Sequence, residues 1–169
     1  EMDPSNDDLR FDRVRIRRRI ERSNSSALWY KVGAKASERR AARDNVMARH
    51  LAANCEIYPE GYSRIQSGFW RYTSDEIAMR GLSAIVGAIG GRSHPLRRRK
   101  VRELYRKLRD DQLSGGATSG GCYIVPEPNG SVLVMREIGL VRKCAAARGR
   151  LKWDGRFDID IHWENLDYK

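Results

Sequence analysis

What this 169-residue sequence lacks excludes several classes of protein. It contains no run of 18 apolar residues, so no segment is long enough to span a bilayer as a helix, and no signal peptide is recognisable. Its three cysteines, Cys55, Cys122 and Cys144, are far apart and form no C-x-x-C pair. This spacing argues against a zinc knuckle or a disulfide framework and fits a reducing compartment, so we predict a cytoplasmic location.

Recognisable sets of catalytic or metal-binding side chains are also missing. The histidines, His50, His94 and His162, are isolated from one another, and none has a second ligand at metal-binding spacing. Asp158 and Asp160 share a face only because they alternate with apolar residues along a predicted strand. We therefore predict no catalytic residues and no metal site in this chain, and Cys122 is predicted to be a packed strand residue rather than a nucleophile.

Positive charge is what the sequence has in excess. Lys and Arg number 33 against 22 Asp and Glu, which gives a formal net charge of +11. Such an excess indicates a polyanionic partner, most simply nucleic acid, with an anionic membrane surface as the competing interpretation. Hydrophobic residues make up 40% of the chain, enough for the core of one domain but little more.

Two basic segments are candidates for phosphate contact. A helix that starts at Ser93-His94-Pro95 has a narrow apolar stripe of Val101, Leu104 and Leu108, with almost every other position basic. Its predicted phosphate-binding residues are Arg97, Arg98, Arg99, Lys100 and Arg102. On a long helix from about residue 27 to 54, the residues Lys35, Arg39 and Arg43 lie along one side. That row fits a phosphate backbone and a solvated face equally well.

The predicted fold class is α+β. It combines the long helix and shorter helices, the clearest at 75–89, with a small antiparallel sheet formed by a C-terminal hairpin and the last strand. The hairpin crosses Pro128-Asn129-Gly130, and the last strand alternates over 156–164. Residues 6–22 are predicted as a first helix, 55–65 as two short strands and 137–150 as irregular or a short helix. Phe69 and Trp70 are predicted core residues.

The first segment carries a more specific pattern, Asp3-x-Ser5-Asn6-x-Asp8-x-x-Phe11-x-Arg13-x-x-x-Arg17. Taken alone, it is typical of a well-capped, solvated, basic helix. It also resembles the segment that closes the catalytic domain of tRNA(Ile)-lysidine synthetases, roughly D-x-S-N-x-D-x-x-[YF]-x-R-N-x-x-R, with Val14 in place of the family's Asn. Three later motifs resemble the C-terminal region of the same enzymes: Gly120-Gly121-Cys122, Arg136-Glu137 and Trp153-Asp154-Gly155-Arg156-Phe157.

The resemblance implies a part of a larger enzyme. Lysidine synthetases are cytoplasmic bacterial ligases that use ATP and lysine to convert the wobble cytidine of a minor isoleucine tRNA, with a CAU anticodon, to lysidine. Residues 1–22 would end the catalytic domain or link it to residues 23–169, the tRNA-binding C-terminal domain. ATP and magnesium would be bound by the missing N-terminal domain and not by this fragment, and the start at Glu1 rather than Met fits a fragment.

The resemblance also implies roles for individual residues. Those that would border the active site and help place the tRNA are Asp3, Ser5, Asn6, Asp8, Arg13 and Arg17. The two basic segments would hold tRNA phosphates. The loop SGGATS at 114–119 differs by one residue from the SGGxDS loop that holds ATP in these enzymes. It lacks the aspartate and the strand-to-helix setting, so we predict a flexible connector.

Two other classes of function remain open at this point. One is a non-enzymatic module that binds structured RNA, such as a ribosome-associated or assembly protein. The other is a DNA-binding or peripheral membrane protein, although the basic helix lacks the broad apolar face and aromatic anchors of an interfacial helix. The oligomeric state is also open, with a homodimer as one candidate.

Overall fold

The computed structural model describes residues 9–22, 26–141 and 149–161 of the chain. Contacts divide the chain into two compact units, residues 1–44 and residues 45–169. Within the described residues the chain forms five α-helices and seven β-strands, so the predicted α+β class is confirmed. None of the described helices is long and apolar enough to cross a membrane.

The described part of the first unit is helical. Helix α1 spans Asp12–Arg22 and is preceded by a turn in which the carbonyl oxygen of Phe11 accepts hydrogen bonds from the backbone N–H groups of Val14 and Arg15. The predicted start at residue 6 is therefore too early, because residues 9–11 form this turn. Helix α2 spans Ser26–Asn54, as the sequence predicts, and the boundary between the two units falls within it.

A five-stranded antiparallel sheet organises the second unit. Its strands are β1 (Cys55–Ile57), β2 (Ser63–Ile65), β3 (Ala117–Ser119), β4 (Cys122–Pro126) and β5 (Val132–Arg136), in the spatial order β1-β2-β5-β4-β3. The predicted hairpin supplies β4 and β5, and the predicted short pair supplies β1 and β2. The two pairs meet where β2 runs antiparallel to β5, with Ile65 opposite Val132.

One face of this sheet and three helices enclose the core. The helices are α3 (Gly68–Arg71), α4 (Asp75–Ile89) and α5 (Arg98–Arg109). Alternation along the strands buries Cys122 and Ile124 of β4 and Val132 and Val134 of β5. The predicted core residues Phe69 and Trp70 are buried. The predicted apolar stripe of α4 is buried as well and consists of Ile77, Leu82, Ile85, Val86 and Ile89.

The last predicted strand lies in a different sheet from the one expected. Strand β7 (Phe157–Ile161) pairs with β6 (Gly149–Trp153) in a separate two-stranded sheet, and not with the hairpin β4–β5. Residues 137–150 contain a 3₁₀ turn at Ile138–Leu140, in agreement with the prediction, but Gly149 and Arg150 already belong to β6. Reasoning from the sequence missed β6, because its alternation of Arg150 and Lys152 with Leu151 and Trp153 covers only four residues.

The prediction of a flexible connector at 114–119 is wrong for the second half of that segment. Residues Ala117–Ser119 form the edge strand β3, which pairs with β4, and the Tyr123 hydroxyl donates to the Gly115 carbonyl oxygen at 3.0 Å. The segment follows α5 and leads into β3, so no helix begins at its end. It therefore lacks the strand-to-helix setting in which backbone N–H groups hold the phosphates of ATP.

Candidate nucleic-acid interface

Helix α5 separates its apolar and cationic residues sharply. Val101, Leu104, Tyr105 and Leu108 are buried, at the i, i+3, i+4 and i+7 spacing of one helical face. The basic residues of the helix are all exposed: Arg98, Arg99, Lys100, Arg102, Arg106, Lys107 and Arg109, with Arg97 just before them. The core contacts of the apolar stripe thus hold the cations on the outer side of the second unit.

A hydrogen bond to α4 fixes the position of α5. The hydroxyl of the buried Tyr105 donates to Oδ1 of Asp75 at 2.7 Å, and the guanidinium of Arg109 lies 3.3 Å from Oδ2 of the same carboxylate. Burial, together with this hydrogen bond to Asp75, raises the pKa of Tyr105 above its ordinary value. The phenol therefore stays protonated and donating at neutral pH, which keeps the cationic side of α5 in a defined orientation.

Most cations of α5 have no ion-pair partner among the residues that the structure describes. Arg99 pairs with Glu103 at 3.1 Å, and Arg109 pairs with Asp75 and Asp110. Six others make no ion pair with any residue that the structure describes: Arg97, Arg98, Lys100, Arg102, Arg106 and Lys107. These six form what we call the α5 cationic face. Uncompensated like charges on about three turns repel one another, and binding of a polyanion removes that repulsion.

The first turn of α5 strengthens this preference for anions. It contains no acidic residue, and Arg97 at its N-cap position makes no side-chain capping hydrogen bond. Free backbone N–H groups and the positive end of the helix dipole therefore coincide with Arg97, Arg98 and Lys100, an arrangement that is unfavourable until an anion approaches. Five predicted phosphate-binding residues, Arg97 to Lys100 and Arg102, are thereby brought together at one end of one helix.

The other predicted site residues lie on α1 and α2 or outside the described part of the chain. Lys35, Arg39 and Arg43 are exposed along α2, as expected, and Arg13 and Arg17 are exposed on α1. Arg13 lies over the ring of Phe11, with 5.3 Å between the guanidinium carbon and the ring centroid. Residues 1–8 lie outside the described part of the chain, so the placement of Asp3, Ser5, Asn6 and Asp8 is not described.

Several other arginines form ion pairs and hydrogen bonds within the second unit. The buried carboxylate of Asp154 accepts hydrogen bonds from Arg136 Nε and Nη2, at 2.8 and 2.9 Å, and from Arg156 Nε at 2.9 Å. Side-chain exposure is 0% for Asp154, 14% for Arg136 and 9% for Arg156. We call these three residues the Asp154 cluster.

The Asp154 cluster ties distant turns together through backbone carbonyls. Arg136 Nη1 donates to the carbonyl oxygens of Gly90 and Gly121, at 2.8 and 3.0 Å, and Arg156 Nη1 donates to that of Gly61 at 2.9 Å. At Gly121, with φ of +81°, an added Cβ would lie only 2.6 Å from Arg136 Nη1. A side chain there would therefore displace the arginine as well as strain the backbone.

A second ion pair fixes the turn of the hairpin. Arg64 on β2 donates to both carboxylate oxygens of Glu127, at 2.8 and 3.1 Å, and the Ser131 hydroxyl donates to Glu127 at 2.6 Å. The hydrogen bonds from Arg64 and then from Ser131 lower the pKa of Glu127. Like the arginines of the Asp154 cluster, Arg64 has a structural partner, and this separates it from the α5 cationic face.

The polar residues that a catalytic site might use are engaged in packing. Cys122 is fully buried, its Sγ donates to the Val86 carbonyl oxygen at 3.3 Å, and burial raises its pKa to about 11. At neutral pH it is a thiol and not a nucleophilic thiolate. The ring of His50 hydrogen-bonds the Thr73 hydroxyl at 3.1 Å. Among the described residues, no group of three His, Cys, Asp or Glu side chains is placed to hold a metal ion.

Comparisons with known proteins give two curated relatives, both named tRNA(Ile)-lysidine synthase. The chain is 32% identical to the protein of Ruegeria pomeroyi over 166 residues, covering 92% of this chain. Its identity to the protein of Anaplasma marginale is 27% over 166 residues, covering 94% of this chain. The chain resembles tRNA(Ile)-lysidine synthases along nearly its whole length. It spans 36% of the length of each relative. No family model matches the sequence, and no solved structure matches it significantly.

The resemblance to tRNA(Ile)-lysidine synthases inferred from the motifs is thus confirmed. The structure also shows which contacts the residues of the motifs make. Gly121, Arg136, Asp154 and Arg156, which come from three separate motifs, meet at the Asp154 cluster. Reasoning from the sequence did not identify these residues as a site. The available signal was the charged residues of two motifs, Arg136 and Asp154-Gly155-Arg156, and the paired glycines of the third, but their contact depends on the tertiary fold.

Proposed function

We propose that this chain is the tRNA-binding, C-terminal portion of a tRNA(Ile)-lysidine synthase, with the α5 cationic face holding tRNA phosphates. The observation that carries the proposal is the α5 cationic face itself, six cations on one firmly anchored helix without a described carboxylate partner. The similarity to two proteins named tRNA(Ile)-lysidine synthase selects tRNA among polyanions.

The role we propose for this chain is positioning. Phosphate contacts from Arg and Lys supply affinity and orientation but little sequence information. In this proposal the ligase reaction, which uses ATP, magnesium and lysine to modify the wobble cytidine of the CAU-anticodon isoleucine tRNA, belongs to the whole enzyme. The bound ATP and magnesium are assigned to the part of the relatives that this chain does not span, and the enzyme acts in the cytoplasm.

Two further surfaces complete the proposal. Arg13 and Arg17 are four residues apart on α1 and exposed, so they share one side of that helix. With Asp3, Ser5, Asn6 and Asp8 they are assigned to the border of the active site. Lys35, Arg39 and Arg43 on α2 are a third candidate contact for phosphates.

The decisive experiment is a triple substitution of Arg97, Arg98 and Arg102, three arginines of the α5 cationic face, by Ala. All three side chains are exposed and none contributes to the core, so the circular dichroism spectrum should stay unchanged. The melting temperature should not fall, because the substitution also relieves repulsion between like charges. The affinity for the unmodified CAU-anticodon isoleucine tRNA should fall by about 10- to 100-fold, measured by filter binding, as three phosphate contacts are lost.

A matched control removes three exposed arginines elsewhere, Arg40, Arg49 and Arg92, and should weaken binding much less. An equal loss in both variants would show that total charge, and not the α5 cationic face, governs binding. Equal affinity for many structured RNAs, including unrelated ones, would favour the alternative of a non-enzymatic RNA-binding module.

A further inference from the structure

We propose that a pocket next to the α5 cationic face accepts one unpaired nucleotide of the bound RNA, an inference that rests on the RNA-binding function proposed above. The cavity has a volume of about 500 Å³ and lies among α3, the last turn of α5 and the turn between β4 and β5. We call it the Trp70 pocket. The lining residues that matter here are Trp70, Arg71, Lys107, Leu108, Leu113 and Val132.

The wall of the pocket contains an unsatisfied hydrogen-bond donor. Trp70 is 7% exposed, and its indole N–H has no hydrogen-bond partner among the described residues. A buried donor without an acceptor is destabilising, and nearly all buried polar groups in folded proteins have a partner. The free chain therefore bears an energetic cost at this position. The indole nitrogen itself has almost no accessible surface, so a ligand acceptor reaches it only when the Trp70 ring turns towards the cavity, and that contact would remove the cost.

Charge at the rim of the pocket favours an anionic ligand. Arg71 and Lys107 make no ion pair with a described residue. The third cation of the lining, Arg109, is already paired with Asp75 and Asp110, and the carboxylate of Glu127 is held by Arg64. The remaining charged side chain, Asp111, offsets one of the two available cations, so the uncommitted rim carries a net positive charge.

The interior of the pocket is apolar and suits a flat ring. Trp70, Leu108, Leu113 and Val132 are buried residues that form its walls. A ring bordered by an indole and aliphatic side chains, with an anionic group held by cations at the rim, is the chemistry of a nucleobase with its phosphate. Bases in a duplex are stacked and paired, so only an unpaired nucleotide can enter.

The pocket is also continuous with the proposed RNA-binding surface. Lys107 belongs to the α5 cationic face and lines the pocket as well. An RNA backbone that follows α5 would thus pass the mouth of the cavity. This continuity favours a nucleotide that is part of an RNA over a free mononucleotide.

The test measures the affinity of the full 169-residue chain for a five-nucleotide single-stranded RNA and for a blunt RNA duplex. Trp70→Phe removes the indole N–H while keeping an aromatic ring, and Arg71→Gln removes a rim cation. Each should lower the ratio of single-strand to duplex affinity by about fivefold or more, in line with the cost of losing one base contact. Arg106→Gln is the matched control: it removes an exposed arginine of α5 that does not line the pocket, so the ratio should not change.

A spectroscopic signal separates direct binding from indirect effects. The indole ¹⁵N–H resonance of Trp70, assigned by its loss in Trp70→Phe, should move downfield when the single-stranded RNA is added and stay in place with the duplex. Because Arg71 is exposed, Arg71→Gln keeps the test valid even where Trp70→Phe lowers the stability of the chain.

The outcomes distinguish the two proposals. An unchanged affinity ratio in Arg71→Gln and an unmoved Trp70 resonance overturn the pocket proposal, while strong salt-dependent binding of both RNAs leaves the proposed function in place. Binding of cytidine monophosphate as tight as that of the pentanucleotide overturns the RNA assignment in favour of a free nucleotide. If the unaltered chain binds neither RNA, both proposals are wrong.

Discussion

Asp154 is constrained in both its side chain and its backbone. Its carboxylate is fully buried between two guanidinium groups, and its own backbone has a φ of +51°, a conformation that favours Gly, Asn and Asp. Both constraints act in one place: the carboxylate neutralises Arg136 and Arg156, and the backbone turn directs it towards them. A substitution that keeps the backbone but removes the charge isolates the electrostatic part.

Replacing Asp154 by Asn should lower the free energy of unfolding by about 3 kcal/mol, since two buried guanidinium groups lose their counter-charge. Asn tolerates the positive φ, so backbone strain does not explain the loss. Urea denaturation measures it. The control is Asp158→Asn: Asp158 is exposed in β7 opposite Lys152, and its loss should cost less than about 1 kcal/mol. Similar costs at the two positions would mean that the Asp154 cluster contributes nothing beyond a surface ion pair.

Among the elements, α4 depends on a glycine at one point and not at another. A Cβ added to Gly81 would lie 2.6 Å from Phe69 Cζ and 3.2 Å from Leu51 Cδ2, whereas one added to Gly87 would have no atom within 4 Å. Phe69 is fully buried within the core, so a shift of its ring would disturb the packing around it. Gly81 therefore allows the close approach of α3 and the end of α2 to α4, while Gly87 has no such packing role.

The substitutions Gly87→Ala and Gly81→Ala should change the melting temperature in opposite directions. Gly87→Ala should stabilise the chain by about 0.5–1 kcal/mol, because Ala loses less backbone entropy than Gly in a helix. Gly81→Ala gains the same propensity but overpacks the core, so we expect a net loss of about 1–2 kcal/mol. Thermal unfolding followed by circular dichroism gives both values. Stabilisation of the chain by Gly81→Ala would contradict the tight packing of α4 on Phe69.

For the whole molecule, the structure separates structural cations from available ones. Arg64, Arg136 and Arg156 are held by carboxylates inside the second unit, whereas the α5 cationic face has no such partners among the described residues. The cations behind the net charge of +11 therefore differ in whether a described carboxylate neutralises them. Repulsion that folding leaves in place is concentrated where an RNA would relieve it.

This uneven distribution predicts a steep salt dependence. With about six phosphate contacts, the affinity for tRNA should fall roughly a thousandfold between about 50 and 200 mM salt. Fluorescence anisotropy across that range gives the slope of log affinity against log salt. The triple Ala variant of Arg97, Arg98 and Arg102 should make that slope less steep by about three, since three phosphate contacts are lost. A slope near zero would be incompatible with binding through phosphates.

Local pattern in the sequence determined most of the elements. The apolar periods of α4 and α5, the proline-free stretch that forms α2, the turn at Asn129-Gly130 and the alternation of β7 each depend on neighbours in the chain. They are therefore predictable without the fold. The resemblance to tRNA(Ile)-lysidine synthases also came from short motifs. The choice of Arg97 to Lys100 and Arg102 as candidates came from the density of cations on one predicted helix. Their exposure follows from the narrow apolar stripe of α5, which the sequence displays.

Tertiary structure alone decided which distant segments meet. The pairing of β2 with β5, the separation of β6 and β7 from the main sheet and the contact of Arg136 with Asp154 join residues far apart in the sequence. Such pairings depend on the packing of the whole core, and no local period encodes them. The same holds for the Trp70 pocket, because an unsatisfied indole N–H and two unpaired cations are defined only by what the fold places, or fails to place, beside them.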